Sequence, residues 1–200
     1  PAQPADARAL VRRLYFDLIG LPPTPEQTRD FIQAHAKNPD LAVRELVDHL
    51  LESPRYGERW GRHWLDVARY ADSDGQEADA DRPHAYVYRD LVIQAFNDDM
   101  PYDQFVRWQI AGDEFEPHHD AAVAATGFLT AGTAFKLPDT FLESERLLNR
   151  YNELDDIVST VGSGLLGITV ACARCHDHKY DAFSAKEYYQ LLGVFHSGDR

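Results

Sequence analysis

The chain has 200 residues, of which 44% are hydrophobic and 12% aromatic, and these fractions exclude a disordered or fibrous protein. Its 33 acidic and 20 basic side chains give a formal net charge of −13, which repels phosphate backbones and argues against a nucleic acid partner. The length suits one domain with a substantial core, so we predict a single domain over residues 1–200.

Helical signals recur along the whole chain and strand alternation is nearly absent, so we predict an all-α fold. Asp6, Thr24 and Ser184 are expected helix caps, the last two in capping boxes. The expected helices, with approximate bounds, cover residues 6–18, 25–36, 40 onward, 56–70, 83–96, 101–111, 121–130, 147–168 and 185–195.

Two polar segments raise the question of a metal site. The acidic stretch Asp72–Asp81 begins with the oxygen density of a calcium loop but lacks the twelve-residue pattern, so a solvated loop is the preferred interpretation. The pair His118-His119 could bind a transition metal, although adjacent histidines in a loop are more often exposed to solvent.

The last long helix carries an apolar stripe at steps of four and three, typical of a buried helix face. Its members are Leu147, Tyr151, Leu154, Val158, Val161, Leu165 and Ile168. The same steps continue to Cys172 and Cys175, which predicts both thiols on the buried side of one helix. Glycines at 162, 164 and 167 interrupt the stripe, and the alternative is a helix that breaks near Gly162 and restarts.

Both cysteines of the chain lie in Cys172-Ala173-Arg174-Cys175-His176, a C-x-x-C-H run typical of covalent c-type haem attachment. The two thiols would bind the haem vinyl groups, and His176 would bind the iron. We therefore predict one covalent haem c, carried near the C-terminal end. The alternatives are a zinc site completed by His178, a redox dithiol and a small disulfide loop.

His63 is the first candidate for the opposite side of the iron. On the helix at 56–70 it shares one face with Trp60, Trp64 and Val67, and that face is predicted to be buried, with Trp64 lining the haem. The alternative is a core histidine hydrogen-bonded to backbone.

Three further residues are considered for the haem site. Met100, the only methionine, is the alternative distal ligand. His178 lies too close to His176 to reach the other face, so it is expected to hydrogen-bond nearby or to bind a propionate. Arg174, inside the motif, is likewise counted among the haem-contacting residues.

Several separated blocks of this sequence, in order, resemble the planctomycete cytochrome c-like domain over nearly the whole chain. They read RLYFDLIGLPPTP at 13–25, YGERW at 56–60, HWLDVARYAD at 63–72, DMPYD at 99–103 and CARCHDHKYD at 172–181. The resemblance implies haem attachment at Cys172, Cys175 and His176. It also implies a segment of a large exported bacterial protein with neighbouring domains.

We therefore expect a c-type cytochrome domain that transfers single electrons to a redox partner protein or to an adjacent domain of the same chain. The alternative is a haem enzyme or ligand-binding domain with an open iron position, in which Arg62 or Arg69 stabilises charge. A haem-free zinc or structural module is a third possibility.

An extracytoplasmic location, periplasmic or secreted, is also expected, because haem is attached covalently outside the bacterial cytoplasm. No signal peptide is visible, so the export signal should lie upstream. The longest nearly apolar run, at 161–173, is too short and glycine-rich to span a membrane.

Overall fold

The computed structural model describes residues 5–75, 79–133 and 140–196. Within these ranges the chain is helical and has no strand, apart from one isolated bridge between Ser73 and Asp81, which confirms the all-α class. The α-helices are α1 (Ala7–Leu18), α2 (Pro25–Lys37), α3 (Pro39–Leu51), α4 (Arg55–Val67), α5 (Tyr86–Asn97), α6 (Tyr102–Phe115), α7 (Asp120–Ala125), α8 (Gly127–Thr130), α9 (Glu143–Val161) and α10 (Ala185–His196).

Contacts divide the chain into two compact units. The first comprises Pro1–Trp64 and Asp90–Pro101, and the second comprises Leu65–Arg89 and Tyr102–Arg200. The expectation of one domain over residues 1–200 stays a prediction. As predicted, no helix in the described ranges is long and apolar enough to cross a membrane.

The first unit begins with three capped helices. Asp6 accepts a hydrogen bond from the Ala9 amide at 2.7 Å, and Thr24 forms the predicted capping box at the start of α2. α3 starts one residue earlier than predicted, because Asn38 is its cap and Pro39 takes the first helical position. Their core consists of Val11, Tyr15, Phe31, Ala42 and Leu50.

A glycine in α4 lets another segment of the first unit come close. The Gly57 amide donates to Asn97 Oδ1 at 2.8 Å, and the Asn97 side chain donates to the Pro54 carbonyl at 3.2 Å. A Cβ atom at position 57 would lie 2.3 Å from the Ile93 carbonyl oxygen, so only glycine fits this contact.

In the second unit, the predicted acidic loop is held by its own hydrogen bonds. The Asp74 carboxylate forms an ion pair with Arg82 at 2.7 Å. The backbone amide of Asp74 donates to the Ala80 carbonyl, and the backbone amide of Arg82 donates to the Asp72 carbonyl, both at 2.8 Å. Asp74 and Arg82 are 11% and 17% exposed, so this carboxylate is committed to an ion pair and the solvated-loop interpretation needs that correction. Gln76 and Glu77, which the calcium interpretation included, lie outside the described residues.

The histidine pair also has a structural use. The predicted helix at 121–130 is two short helices, and the His119 ring caps the first by accepting the Ala122 amide at 3.4 Å. The same ring packs 4.9 Å from the Trp108 ring, whose indole donates to Glu116 at 3.0 Å. His119 is therefore part of the packing of the second unit.

Candidate functional site

The C-x-x-C-H run follows a break in the predicted long helix. α9 ends at Val161, a π-helical turn covers Gly162–Leu166, and Gly167 has a φ of 66° in the left-handed region. A Cβ atom at Gly162 would lie 2.8 Å from Val170 Cγ2, so the glycine makes room for the chain where it folds back. The prediction of one continuous helix is wrong, and the alternative of a break near Gly162 is confirmed, since the helical turns end at Gly167.

Both thiols face outward, which corrects the prediction that they lie on a buried face. A 3-10 helix covers Val170–Arg174, and Cys175 follows it. With three residues per turn, Val170 and Ala173 share one face while Cys172 and Cys175 share another. The first pair is buried, and the two cysteines are exposed free thiols. They are separated by one turn, roughly 6 Å along the axis of such a helix.

The inner face of this turn is part of an apolar core. Ala173, which stands between the two cysteines, is fully buried against α9 and α10. The buried members of the cluster are Leu154, Val158, Val170, Ala173, Tyr188 and Leu192. The motif is therefore fixed to the second unit from the side opposite its thiols.

Arg174 directs its side chain to α9. Nη1 lies 3.1 Å from Asp155 Oδ2, and Nη2 donates to Asn152 Oδ1 at 2.9 Å. The backbone carbonyl of Arg174 accepts a hydrogen bond from the Tyr189 hydroxyl at 3.0 Å. Its predicted contact with haem stays a prediction, whereas its role in holding the motif is plain from these bonds.

The same carboxylate accepts a second hydrogen bond, from the hydroxyl of Tyr188 on α10. Tyr188 is fully buried, and burial, together with the bond to Asp155, raises the pKa of its phenol far above the ordinary value of 10.0. Asp155 thus links a neutral, buried phenol to the charged guanidinium of Arg174.

His176 is exposed and has one ring nitrogen fixed. Nδ1 lies 2.9 Å from the backbone carbonyl of Asp177, and because a carbonyl only accepts, Nδ1 must carry the hydrogen. This leaves Nε2 as the ring nitrogen that could bind a metal, and within the described residues no hydrogen bond to it is formed. A carbonyl bond on one nitrogen is the usual support for a histidine whose other nitrogen binds a metal.

His178 has the opposite arrangement. Its Nδ1 accepts the backbone amides of Tyr180 and Asp181 at 3.3 and 2.8 Å, and its side chain is only 8% exposed. The Asp181 carboxylate lies 3.3 Å from the same nitrogen, but two amides already donate to Nδ1, so this nitrogen acts as an acceptor and has no hydrogen to give the carboxylate. His178 shapes the loop after the motif.

The zinc interpretation of these residues has no support in the geometry. In the part of the chain that the structure describes, no group of three or more His, Cys, Asp and Glu residues is placed to hold a metal ion. The expected fourth ligand, His178, uses its lone pair on backbone amides.

The residues predicted for the far side of the iron belong to the first unit, whereas the motif belongs to the second. His63 is exposed, and its Nε2 lies 2.8 Å from Arg59 Nη1. Trp64 and Met100 are half-buried. The haem contacts of His63, Trp64 and Met100 stay predictions.

The face of α4 that carries His63 is not buried, which corrects the prediction. Trp60 is 37% exposed and Val67 41%, while the buried positions of the helix are Gly57 and Gly61. A Cβ atom at Gly61 would lie 3.4 Å from Ile93 Cγ1. That distance is an ordinary contact, so burial and not a need for glycine places Gly61, with Gly57, on the inner face in place of the aromatic residues.

A cavity of about 620 Å³ lies elsewhere in the second unit. Its walls include the rings of Tyr70 and Tyr88 and the side chains of Val87 and Val123. No residue of the C-x-x-C-H run lines it, so this cavity is separate from the site described above.

Sequence reasoning missed four residues that hold the motif: Asn152, Asp155, Tyr188 and Tyr189. One weak signal was available. Asn152 and Asp155 are three apart on a helix, which places both on one side, where an arginine can bind them together.

The family model PSCyt2, "Protein of unknown function (DUF1549)", matches residues 1–200, and the chain belongs to this family. This match confirms the resemblance to a planctomycete-type domain, as a domain of unknown function. Comparison with curated proteins and with solved structures gave no match.

Proposed function

We propose that this member of the PSCyt2 family is a c-type cytochrome domain, with one haem c attached to Cys172 and Cys175 and its iron bound by His176. One observation carries the proposal. Two free thiols face outward one turn apart, next to an exposed imidazole that is fixed through Nδ1 and has Nε2 left to bind a metal.

The local geometry fits haem better than it fits a redox dithiol. A reactive dithiol opens a helix, where the helix dipole favours a thiolate. Here Cys172 is the middle residue of the 3-10 helix Val170–Arg174 and Cys175 follows its last residue, so neither thiol opens a helix. Exposure on one face also gives the thiols access to the two vinyl groups of a single macrocycle.

Electron transfer is the activity that we favour. Haem c supplies one-electron chemistry when it is bound. The residues of this chain would attach it, orient it through His176 and leave it at a surface that a partner protein or an adjacent domain can approach. The net charge of −13 would steer a basic partner towards this surface. An extracytoplasmic location belongs to the same proposal.

The catalytic alternative has less support. It required an arginine able to stabilise charge next to the iron, and Arg69 is committed to an ion pair with Asp156 at 2.9 Å. Arg62 is exposed on α4.

Covalent attachment can be tested directly. We expect the protein, produced together with a c-type attachment machinery, to keep its haem through acid-acetone extraction. The Cys172→Ala and Cys175→Ala double variant should release all of its haem under the same conditions. Free extraction of haem from the wild-type protein would overturn the proposal.

Iron ligation needs its own experiment. His176→Ala should retain the thioether bonds but change the spin state of the iron, because the proximal ligand is lost. His84→Ala is the matched control, since this histidine is exposed in the second unit and lies outside the motif. Identical optical spectra for wild type and His176→Ala would exclude His176 as a ligand.

The same spectra separate the two sides of the iron. If His63 is the distal ligand, His63→Ala should convert a low-spin spectrum to high-spin and open the iron to carbon monoxide. Unchanged spectra and ligand binding in that variant would exclude His63, and Met100 would be the next residue to test.

A further inference from the structure

We infer that Asp155 is a positioning residue for the C-x-x-C-H turn. Its carboxylate holds Arg174 and thereby sets the direction of the two thiols and of His176. The inference deepens the proposed function, on which its haem readout rests, but the ion pair and its effect on the turn exist without haem.

Both residues between the cysteines are anchors. Ala173 is fully buried in the core of the second unit. Arg174 reaches α9, where its planar guanidinium binds Asp155 at 3.1 Å and Asn152 at 2.9 Å. The short turn is thus fixed by an apolar contact and by an ion pair, and the cysteines occupy the face that remains.

Asp155 is itself held in one orientation. The hydroxyl of Tyr188 donates to Asp155 Oδ1, while Oδ2 faces Arg174. Tyr188 is fully buried on α10, so its position is set by the core. A rotation of the carboxylate would break one of two charge-assisted hydrogen bonds, which restricts it to one orientation.

The residue that follows His176 is also held in place. The carboxylate of Asp177 accepts the Ala185 amide at 2.8 Å, where α10 begins. In sequence, His176 therefore lies between Arg174 and Asp177, and both of these residues are held by helices. Arg174 is held by Asp155 on α9, and Asp177 is held by the Ala185 amide at the start of α10. This arrangement holds the imidazole in place before any cofactor arrives, which is the kind of support that a precise site needs.

The charge of the pair has a consequence of its own. The side chains of Arg174 and Asp155 are 32% and 24% exposed, so solvent screens the pair only in part. Loss of the Asp155 charge leaves an uncompensated guanidinium two residues from His176. A nearby positive charge favours the reduced, less positive state of an iron centre.

The test begins with the haem-free protein. In Asp155→Asn we expect the backbone amides of residues 172–176 to exchange hydrogen with solvent on the order of tenfold faster than in wild type, because the turn opens locally. Glu153→Gln is the matched control: it lies on the same helix, removes the same charge and breaks a 3.7 Å ion pair with Arg150. It should leave these amides unchanged.

Arg174→Lys and Arg174→Gln keep the test decisive if Asp155→Asn fails to fold. Lysine retains the charge but not the fork that binds Asp155 and Asn152 together, so its amide exchange should fall between wild type and Arg174→Gln. Wild-type exchange rates in both Asp155→Asn and Arg174→Gln would overturn the inference.

The haem-loaded protein gives a readout that a purely structural role would not move. The reduction potential should rise in Asp155→Asn and stay nearer the wild-type value in Glu153→Gln, which removes the same charge from α9 but at a carboxylate paired with Arg150. Equal potentials in Asp155→Asn and wild type would contradict the electrostatic part of the inference. If the wild-type protein never attaches haem, the proposed function fails, while the amide exchange still decides the role of Asp155.

Discussion

Arg69 binds Asp156 twice through one guanidinium nitrogen. Nη1 lies 2.9 Å from the carboxylate Oδ2 and 2.9 Å from the backbone carbonyl of Asp156. The same nitrogen donates to the hydroxyl of Thr160, and Nη2 lies 3.4 Å from the Phe128 carbonyl. Arg69 therefore joins α9 to α8 within the second unit.

The backbone at Arg69 has a conformation that favours glycine. Its φ is 60°, and the amides of Arg69 and Tyr70 bond to Asp66 and Leu65 at 3.2 and 2.9 Å, which closes α4 as a Schellman motif. Arginine occupies the position where helices usually place glycine. We attribute this to the bonds of its guanidinium.

Arg69→Ala and Arg69→Gly separate these two effects. Both lose the guanidinium bonds and should lower the free energy of unfolding by about 1–2 kcal/mol, since the pair is partly exposed. The glycine variant should be about 1 kcal/mol more stable than the alanine variant, because it removes the left-handed strain. Urea unfolding measures both.

Arg55→Ala is the control for Arg69. It breaks an exposed ion pair with Glu58 at 2.7 Å, and its effect should stay below about 0.5 kcal/mol. An Arg69→Gly variant less stable than Arg69→Ala would contradict the account of strain.

Two glycines give a matched test of packing. A Cβ atom at Gly112 would lie 2.0 Å from the Ala122 carbonyl oxygen, whereas one at Gly193 would meet nothing within 4 Å. Gly112→Ala should therefore destabilise the protein by about 2 kcal/mol or more. Gly193→Ala, inside α10, should stabilise it by about 0.5–1 kcal/mol. Thermal unfolding that ranks the two variants in the reverse order would refute the packing at Gly112.

The sequence predicted local features well. The caps at Asp6, Thr24 and Ser184 lie where they were expected, because a cap depends on residues only three positions apart. The break at Gly162 stayed one of two alternatives, because the glycine is required only once Val170 returns against it. Local helix propensities cannot predict that the chain folds back and packs Val170 against Gly162.

Non-local contacts account for the rest of the site. Arg174 and Asp155 are 19 positions apart, and no local pattern pairs them. The exposure of the thiols was mispredicted for the same reason. A helical periodicity that is continued past the end of the helix no longer predicts which residues are buried. The sequence marked Cys172, Cys175 and His176 as candidate site residues, but it did not predict which residues hold them in place.

Glu187 should make α10 sensitive to acid. Its carboxylate accepts the backbone amide and the hydroxyl of Ser184, both at 2.8 Å, and these bonds lower the pKa of Glu187 below its ordinary value of 4.5. Because the folded-state pKa is the lower one, the stabilisation is present above the ordinary value and is lost as the pH falls through the folded value.

An NMR titration of the Glu187 carboxyl carbon measures this shift. We expect Ser184→Ala to move the pKa of Glu187 back towards its ordinary value, because the hydroxyl bond is removed. Ser53→Ala, at a serine of the first unit that is not linked to Glu187, is the control. The same titration midpoint in wild type and Ser184→Ala would show that the hydroxyl contributes nothing to the capping box.

Tyr188 should make the second unit sensitive to alkali, with the opposite sign. Burial raises the pKa of its phenol in the folded state above the ordinary 10.0, so the folded protein keeps a proton that the unfolded chain loses. The contribution of Tyr188 is therefore complete below pH 10 and decreases as the pH rises through and beyond that value.

Tyr188→Phe lacks the ionisable hydroxyl and its bond to Asp155, so it should be less stable than wild type near neutral pH. The stability difference between the two proteins should be constant below pH 10 and shrink above it, as measured by denaturant unfolding at each pH. Tyr180→Phe, at a tyrosine that is 82% exposed, should show no such change. A difference that stays constant or grows above pH 10 would contradict a raised pKa of Tyr188 in the folded state.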